Sequence, residues 1–444
     1  MCGPRQEPTA APEPESAAAA PSPAPASGTA AGPEPAPAPA AAPVVGLDAA
    51  ALQKVKASAT QPTPHAPPPP LVQASFDVAA ALGQGGFAVV WKATERSSGK
   101  PVAIKQIVDA FRSDLDARRT YRELVLQRAC ECDHILPVSA VLSAAPDVML
   151  VLPCADTDVH TALRAKLLQK ASQKQHVCVQ MLLALEYLHA RNVVHRDIKP
   201  PNLLLDAATL RVRLCDFGLA RLGGGEGGAP IGATTDEIGS RWYRAPELLL
   251  GCAYTCAVDM WSAGCVAAEV LTCTTLMQGS TDAGQLQRVV ELVGAPDEEA
   301  RAALAPSAEA LERLEAAQRG AEAQQPKRDF ARQTRGAPEQ GKQLVRELLA
   351  LDPSKRLTAR AARQHAYLQP VAGSYAAPKG DDAAAAAPKP LELPLADGLA
   401  AAAYEAFVRD HVADQSAAGP AAAAAAAATA PGGEPAAAEE DMGA

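Results

Sequence analysis

Four side chains in two short stretches carry groups that could act together on a phosphate. Val194-His195-Arg196-Asp197-Ile198-Lys199-Pro200-Pro201-Asn202 is followed downstream by Leu214-Cys215-Asp216-Phe217-Gly218. Moving a phosphoryl group needs an acceptor for the hydroxyl proton, metal ions on the phosphate oxygens and positive charge on the group in transit. Asp197 suits the first role, Asn202 and Asp216 the second, and Lys199 the third. Met alone, each is equally well read as a capping or surface group. Upstream, Gly83-Gln84-Gly85-Gly86-Phe87-Ala88-Val89-Val90 has glycines that let a hairpin backbone lie over phosphates and aim amides at them. Most glycine-rich turns between strands are only turns. Val102-Ala103-Ile104 then ends on Lys105, and a lysine in that position more often snorkels to solvent. Here Glu123 follows on a predicted helix, where its carboxylate would hold the ammonium toward phosphate oxygens.

These groups need a scaffold, and the texture of the chain predicts one. From Phe76 to about Lys105 come short β-type runs broken by glycines, such as Phe87-Ala88-Val89-Val90-Trp91. Helical periods follow: Ala117, Tyr121 and Leu124 share a face, as do Val177, Met181, Ala184, Leu185 and Leu188. A strand-rich start before a helix-rich remainder predicts an α+β chain of two lobes with a cleft between them.

Composition limits the alternatives. The chain has 444 residues and a formal net charge of -9, which argues against a nucleic-acid binder with a clustered basic face. The apolar share of 48% is inflated by alanine, and aromatics make up only 4%, so the core must be concentrated in part of the chain. Residues 1–72 and 416–444 are Ala/Pro- and Ala-rich and are expected to be disordered tails. The ten cysteines are scattered without a CxxC pair, which fits free thiols in a reducing compartment. No run is bulky and apolar enough to span a bilayer, and Glu7, Glu13 and Glu15 do not fit a transit peptide. A cytoplasmic or nuclear protein without a membrane partner is expected.

The ordered series, closing on Ala245-Pro246-Glu247, is the signature set of protein kinases. The chain resembles the mitogen-activated protein kinase family from about Phe76 to Leu368, and more weakly to about Val412. Asp109-Ala110-Phe111 with Asp116 through Glu123 looks like the lead-in to that family's αC helix. Asp156-Thr157-Asp158-Val159-His160 looks like its post-hinge segment. Arg241-Trp242-Tyr243-Arg244-Ala245-Pro246-Glu247 is similar to the form shared with cyclin-dependent kinases. Asp259-Met260-Trp261-Ser262 and Asp352-Pro353-Ser354-Lys355-Arg356 fit the large lobe, where the resemblance pairs Glu247 with Arg356.

The resemblance implies a bilobal protein kinase fold over 73–368, with a small β-rich lobe (73–153) and a helical one (154–368). It implies ATP and Mg2+ as cofactors. Leu82, Gly83, Gly85, Val90, Ala103, Lys105, Leu152, Pro153, Ala155 and Leu204 would hold the nucleotide. Leu152 is the gatekeeper, and adenine would use the Pro153 carbonyl and both backbone groups of Ala155. Asp197, Lys199, Lys105 and Glu123 would be catalytic, with Asn202 and Asp216 on the metal. The extension 369–415 would carry a helix through Tyr404, Phe407 and Val408 packing on the small lobe; a solvated Ala-rich helix is the competing reading. Ala88 stands where the family has a third glycine, Gln127 where it buries an apolar residue, and Ala302 to Arg335 matches its insert helices poorly.

By the same resemblance, substrates would be Ser or Thr followed by Pro, selected near Ser240 and Arg244. An upstream kinase would phosphorylate Thr235, whose phosphate Arg122, Arg196 and Arg221 would receive. Thr234 is a rival site. Glu237 takes the place of the family's tyrosine and is expected to pair with Arg241 or Arg244. Docking peptides would use Asp381 and Asp382. A cyclin-dependent-like kinase and a catalytically silent scaffold on the same fold are the alternatives.

Overall fold

The β-type runs fold as five antiparallel strands in the order β1-β2-β3-β5-β4. They are β1 (Phe76–Gln84), β2 (Ala88–Glu95), β3 (Pro101–Ile107), β4 (Ala140–Ala144) and β5 (Asp147–Pro153). β3 is apolar on both faces because the sheet is covered on both. Ile104 packs with Val89, Trp91, Met149 and Val151 on one side, and Ala103 with Leu124, Leu150 and Leu152 on the other. The computed structural model describes residues 46–58, 62–226, 228–232, 239–324, 329–375, 391, 393–395 and 399–416, with no account of side chains from 411 onward. Thr234, Thr235, Asp236, Glu237, Asp381 and Asp382 lie outside the described residues.

Helix α3 (Asp114–Ala129) carries the first predicted face. Ser113 caps it by accepting from the Asp116 N–H, and Asp114 and Asp116 place negative charge in its first turn. Ala117, Tyr121 and Leu124 are all buried. In the large lobe the helix Ala171–His189 buries Val177, Met181, Ala184, Leu185 and Leu188, and it packs beside the helix Ala257–Thr272. Glu247 and Arg356 meet there through two bonds of 2.8 and 3.2 Å, with both side chains at most 1% exposed. Arg356 also donates to the Ala257 carbonyl at 2.7 Å, so the buried charge is fully engaged on that side.

The helix Ala401–Ser416 lies against α3. Tyr404 and Val408 are fully buried, and the Tyr121 ring has the Tyr404 and Phe407 rings each 5.1 Å away. The Tyr121 hydroxyl accepts from the Leu395 N–H at 2.6 Å, and Asp114 accepts from the Ala401 N–H at 2.7 Å.

The N-terminal expectation needs correcting. Residues 46–58 and 62–72 lie in the expected disordered tail, yet they are folded onto both lobes. α1 (Ala49–Ser58) buries Leu52, and just before it Leu47 is buried and its N–H donates to the Ala207 carbonyl at 2.7 Å. Gln173 Nε2 donates to the Gly46 carbonyl at 2.9 Å, and Lys56 meets Asp156 at 3.3 Å. Gly46 is required by this approach, since a Cβ there would sit 2.5 Å from the carbonyls of Ala207 and Ala208. α2 (Pro70–Ser75) starts on a proline at a position that needs no donor and buries Val72 against β1. Averaged composition does not show these elements because two leucines and a valine, set among alanines and prolines, are buried by apolar partners outside their own segment.

Candidate active site

The six groups noted in the sequence, Lys105, Glu123, Asp197, Lys199, Asn202 and Asp216, converge between the lobes. β3 ends with Lys105 Nζ bonded to Glu123 from α3 and, at 2.9 Å, to Asp216 Oδ1. Burial alone would pull the Lys105 ammonium down, but the charges of Asp216 and Glu123 outweigh it and hold its pKa well above the usual value. The same ammonium draws Asp216 down to about 2. Glu123 goes the other way: burial pushes it up, Lys105 pulls it back and the Asp216 charge adds to the rise. Between them, one ammonium serves two carboxylates from opposite lobes.

The catalytic loop hangs on Asp259, which is buried at the start of the helix Ala257–Thr272. Its Oδ2 accepts from the His195 N–H at 2.8 Å and from His189 Nε2 at 2.9 Å, and its Oδ1 accepts from the Arg196 N–H at 2.8 Å. Burial opposes its charge, but the His189 bond and the neighbouring donors keep its pKa below the usual carboxylate range. This clamp fixes the turn in which Arg196 takes a φ of +67°. His195 Nε2 in turn donates to the Cys215 carbonyl at 3.2 Å, tying the loop to the residue before Asp216.

Asp197 is therefore held, not free to swing. Lys199 Nζ donates to its Oδ2 at 2.6 Å and Asn202 Nδ2 to the same oxygen at 3.1 Å. The Ser240 N–H donates to its Oδ1 at 2.9 Å. A carboxylate so placed can accept a hydroxyl proton while Lys199 holds charge one bond away. Asn202 spends its nitrogen on Asp197, so its oxygen is the atom left for a cation. That oxygen with Asp216 makes a hard, all-oxygen donor pair of the kind Mg2+ takes alongside phosphates. These residues fit the metal.

A cleft of about 1220 Å³ runs past Gly83, Gly85, Val90, Lys105, Asn202 and Asp216. Val90, Ala103, Leu152 and Leu204 gather in one apolar cluster with Cys154 and Cys215, which is suited to a flat ring. Pro153 and Leu152 pair with Val102 and Ala103 at the end of the sheet, while Leu82 is half exposed on its edge. Ala155 follows on the connecting segment.

The three arginines expected to receive a phosphate are placed as follows. Arg122 is buried on α3, and Arg221 opens a short strand pair with Val194. Arg196 already donates to the Leu219 carbonyl at 2.6 Å and to the Tyr254 hydroxyl at 2.9 Å. The partner of Arg241 and Arg244 was not anticipated. Asp282 accepts from Arg241 Nε at 2.7 Å and from Arg244 Nη1 at 3.0 Å, whereas Glu237 lies outside the described residues. In the sequence, Asp282 reads only as an acid in a first helical turn behind Thr281. Gln127 is buried with its nitrogen on the Leu136 carbonyl at 2.9 Å and its oxygen without a partner among the described residues. That is a cost borne inside α3.

The protein kinase domain family matches residues 76–368. Mitogen-activated protein kinase 15 of Xenopus laevis is 36% identical over 304 residues, covering 67% of this chain and 50% of that protein. Extracellular signal-regulated kinase 2 of Dictyostelium discoideum is 37% identical over 305 residues, covering 66% of this chain and 79% of that protein. Mitogen-activated protein kinase 6 of Oryza sativa is 35% identical over 295 residues, covering 65% and 75%. The chain thus spans about half the length of the frog relative and most of the other two.

Proposed function

The chain belongs to the protein kinase family, within its mitogen-activated group of serine/threonine kinases, and from that premise we propose that it is a catalytically active, proline-directed kinase switched on at Thr235. The observation that carries catalysis is the Asp197 carboxylate, fixed at both oxygens by Lys199, Asn202 and the Ser240 N–H. Asp197 orients the substrate hydroxyl and takes its proton. Lys199 faces the charge that builds on the transferring group. Lys105, held by Glu123, would meet the phosphate oxygens of ATP, and the apolar cluster of Val90, Ala103, Leu152 and Leu204 would hold the adenine. Magnesium, when held by Asn202 and Asp216, neutralises charge on the phosphate oxygens. Retention of Lys105, Glu123, Asp197, Asn202 and Asp216 favours this reading over a silent scaffold; Ala88 and Gln127, whose buried oxygen has no partner among the described residues, are the features that point the other way.

Proline direction is supported by Arg244, whose Nη2 donates to the Gly239 carbonyl at 3.0 Å beside Asp197. That carbonyl is then unavailable to the N–H of an ordinary residue after the phosphoacceptor, and proline has no N–H to lose. Phosphate on Thr235 would bring three acceptor oxygens to Arg122, Arg196 and Arg221 and join loop, helix and catalytic turn. An upstream kinase is its source, and basic docking peptides would engage Asp381 and Asp382. We place the protein in the cytoplasm or nucleus, a reading supported by free thiols at every described cysteine.

A positional peptide library tests the first point, with proline expected to dominate after the acceptor; a flat profile there overturns it. For the switch, wild type shown by mass spectrometry to carry phosphate on Thr235 is compared with Thr235→Ala. Strong loss is expected, weak loss for Thr234→Ala, and full activity in Thr235→Ala ends the idea.

A further inference from the structure

Gly239 and Ser240 share a peptide group that is engaged at both ends. Its carbonyl accepts from Arg244 Nη2 at 3.0 Å, and its N–H donates to Asp197 Oδ1 at 2.9 Å. The peptide lies hard against the catalytic loop: Gly239 has a φ of +60°, and a Cβ there would sit 2.3 Å from the Arg196 carbonyl. What aims Arg244 at this peptide is Asp282, which holds its other terminal nitrogen at 3.0 Å. The second oxygen of Asp282 takes Arg241 Nε at 2.7 Å, and Arg241 also donates to the Ser280 carbonyl at 3.1 Å. Asp282 is itself well anchored. It opens the helix Asp282–Val293, capped by Thr281, and Gln285 of the first turn ties that helix to the Gly279 N–H at 2.7 Å and the Trp242 carbonyl at 3.2 Å.

We propose that Asp282 is the positioning residue that sets selectivity for the residue after the phosphoacceptor, by holding Arg244 on the Gly239 carbonyl. The inference rests on the proline-directed reading above. Asp282 acts through Arg244: it gives one oxygen to each of two arginines, and the planar guanidinium of Arg244 passes that geometry on to the Gly239 carbonyl. With Asp282 in place, the N–H of an ordinary residue enters a pocket whose nearest carbonyl is already taken. Without it, Arg244 is free to turn away and the Gly239 carbonyl becomes an acceptor for that N–H. Discrimination then relaxes, because the penalty for a residue other than proline is an unpaired donor.

The experiment measures kcat/KM for two peptides that differ only in Pro or Ala after the acceptor serine, using the full, activated chain. Wild type, Asp282→Ala, Asp282→Asn and Asp282→Glu are compared, with circular dichroism as the check on folding. The Pro-to-Ala ratio is expected to fall by about fivefold or more in Asp282→Ala. Asp282→Asn, which keeps one acceptor oxygen, falls between, and Asp282→Glu restores most of the ratio. A folded Asp282→Ala or Asp282→Asn with the wild-type ratio, or one that loses both substrates in equal proportion, overturns the proposal and leaves proline direction standing. A wild-type ratio near one overturns proline direction and this inference together.

Discussion

Lys105 is the side chain on which both lobes close, bonded to Glu123 above and Asp216 below. Lys105→Met is expected to lower turnover on the order of 10²-fold or more, because this chemistry depends on placed charge. The fold survives, since Glu123, already raised by burial, can take a proton once its counter-charge is gone. Turnover within a few-fold of wild type in a folded variant would contradict that role. Arg356 belongs to the same scale but to stability. Its pair with Glu247 is sealed from water, so Arg356→Met is expected to cost roughly 3–5 kcal/mol in a urea unfolding experiment by stranding the carboxylate. A loss below about 1 kcal/mol, the range of exposed pairs, would show the pair to be dispensable. At this scale the sequence was readable where chemistry restricts the residue type, as at Asp197, Asn202 and Asp216. It was silent on Asp282, because an acid in a first helical turn has the same pattern whether it faces solvent or two arginines.

The elements divide by how their burial is encoded. α3 and the helix Ala171–His189 were legible because their buried residues recur at helical spacing within one segment. α1 was not, since Leu47 and Leu52 join the large-lobe core from outside its sequence, and the backbone ahead of the helix bonds to Ala207 and Gln173 far along the chain. Leu52→Ser is expected to destabilise the chain by about 2–4 kcal/mol through lost burial and an unpaired hydroxyl. An unchanged urea midpoint would mean that α1 adds nothing to the fold. Tyr404 reports on the other end. Tyr404→Ala removes a fully buried ring that packs at a tilt against Tyr121, so faster amide exchange is expected along α3. Exchange as slow as in wild type would contradict docking of the C-terminal helix there.

At the scale of the molecule, burial holds three histidines among the described residues below their usual pKa: His134, His176 and His195. Unfolding restores each to about 6.5, so the unfolded chain binds more protons just below that pH. Stability is expected to fall as pH drops from about 7 toward 5. The depressed carboxylates Asp216 and Asp259 add their loss only below about pH 4, as acid protonates them in turn. A urea midpoint that is flat between about pH 7 and 5 would contradict the histidine account. The two lobes, the cleft and the clamp on Asp197 all converge on phosphoryl transfer. The most direct test uses radiolabelled ATP, magnesium and a Ser-Pro peptide, comparing the wild-type chain, phosphorylated on Thr235, with Asp197→Asn. Label is expected in the peptide with wild type, with a loss on the order of 10²-fold or more in the variant. Equal incorporation by the two proteins, or none by either, would contradict the claim that this chain is an active kinase.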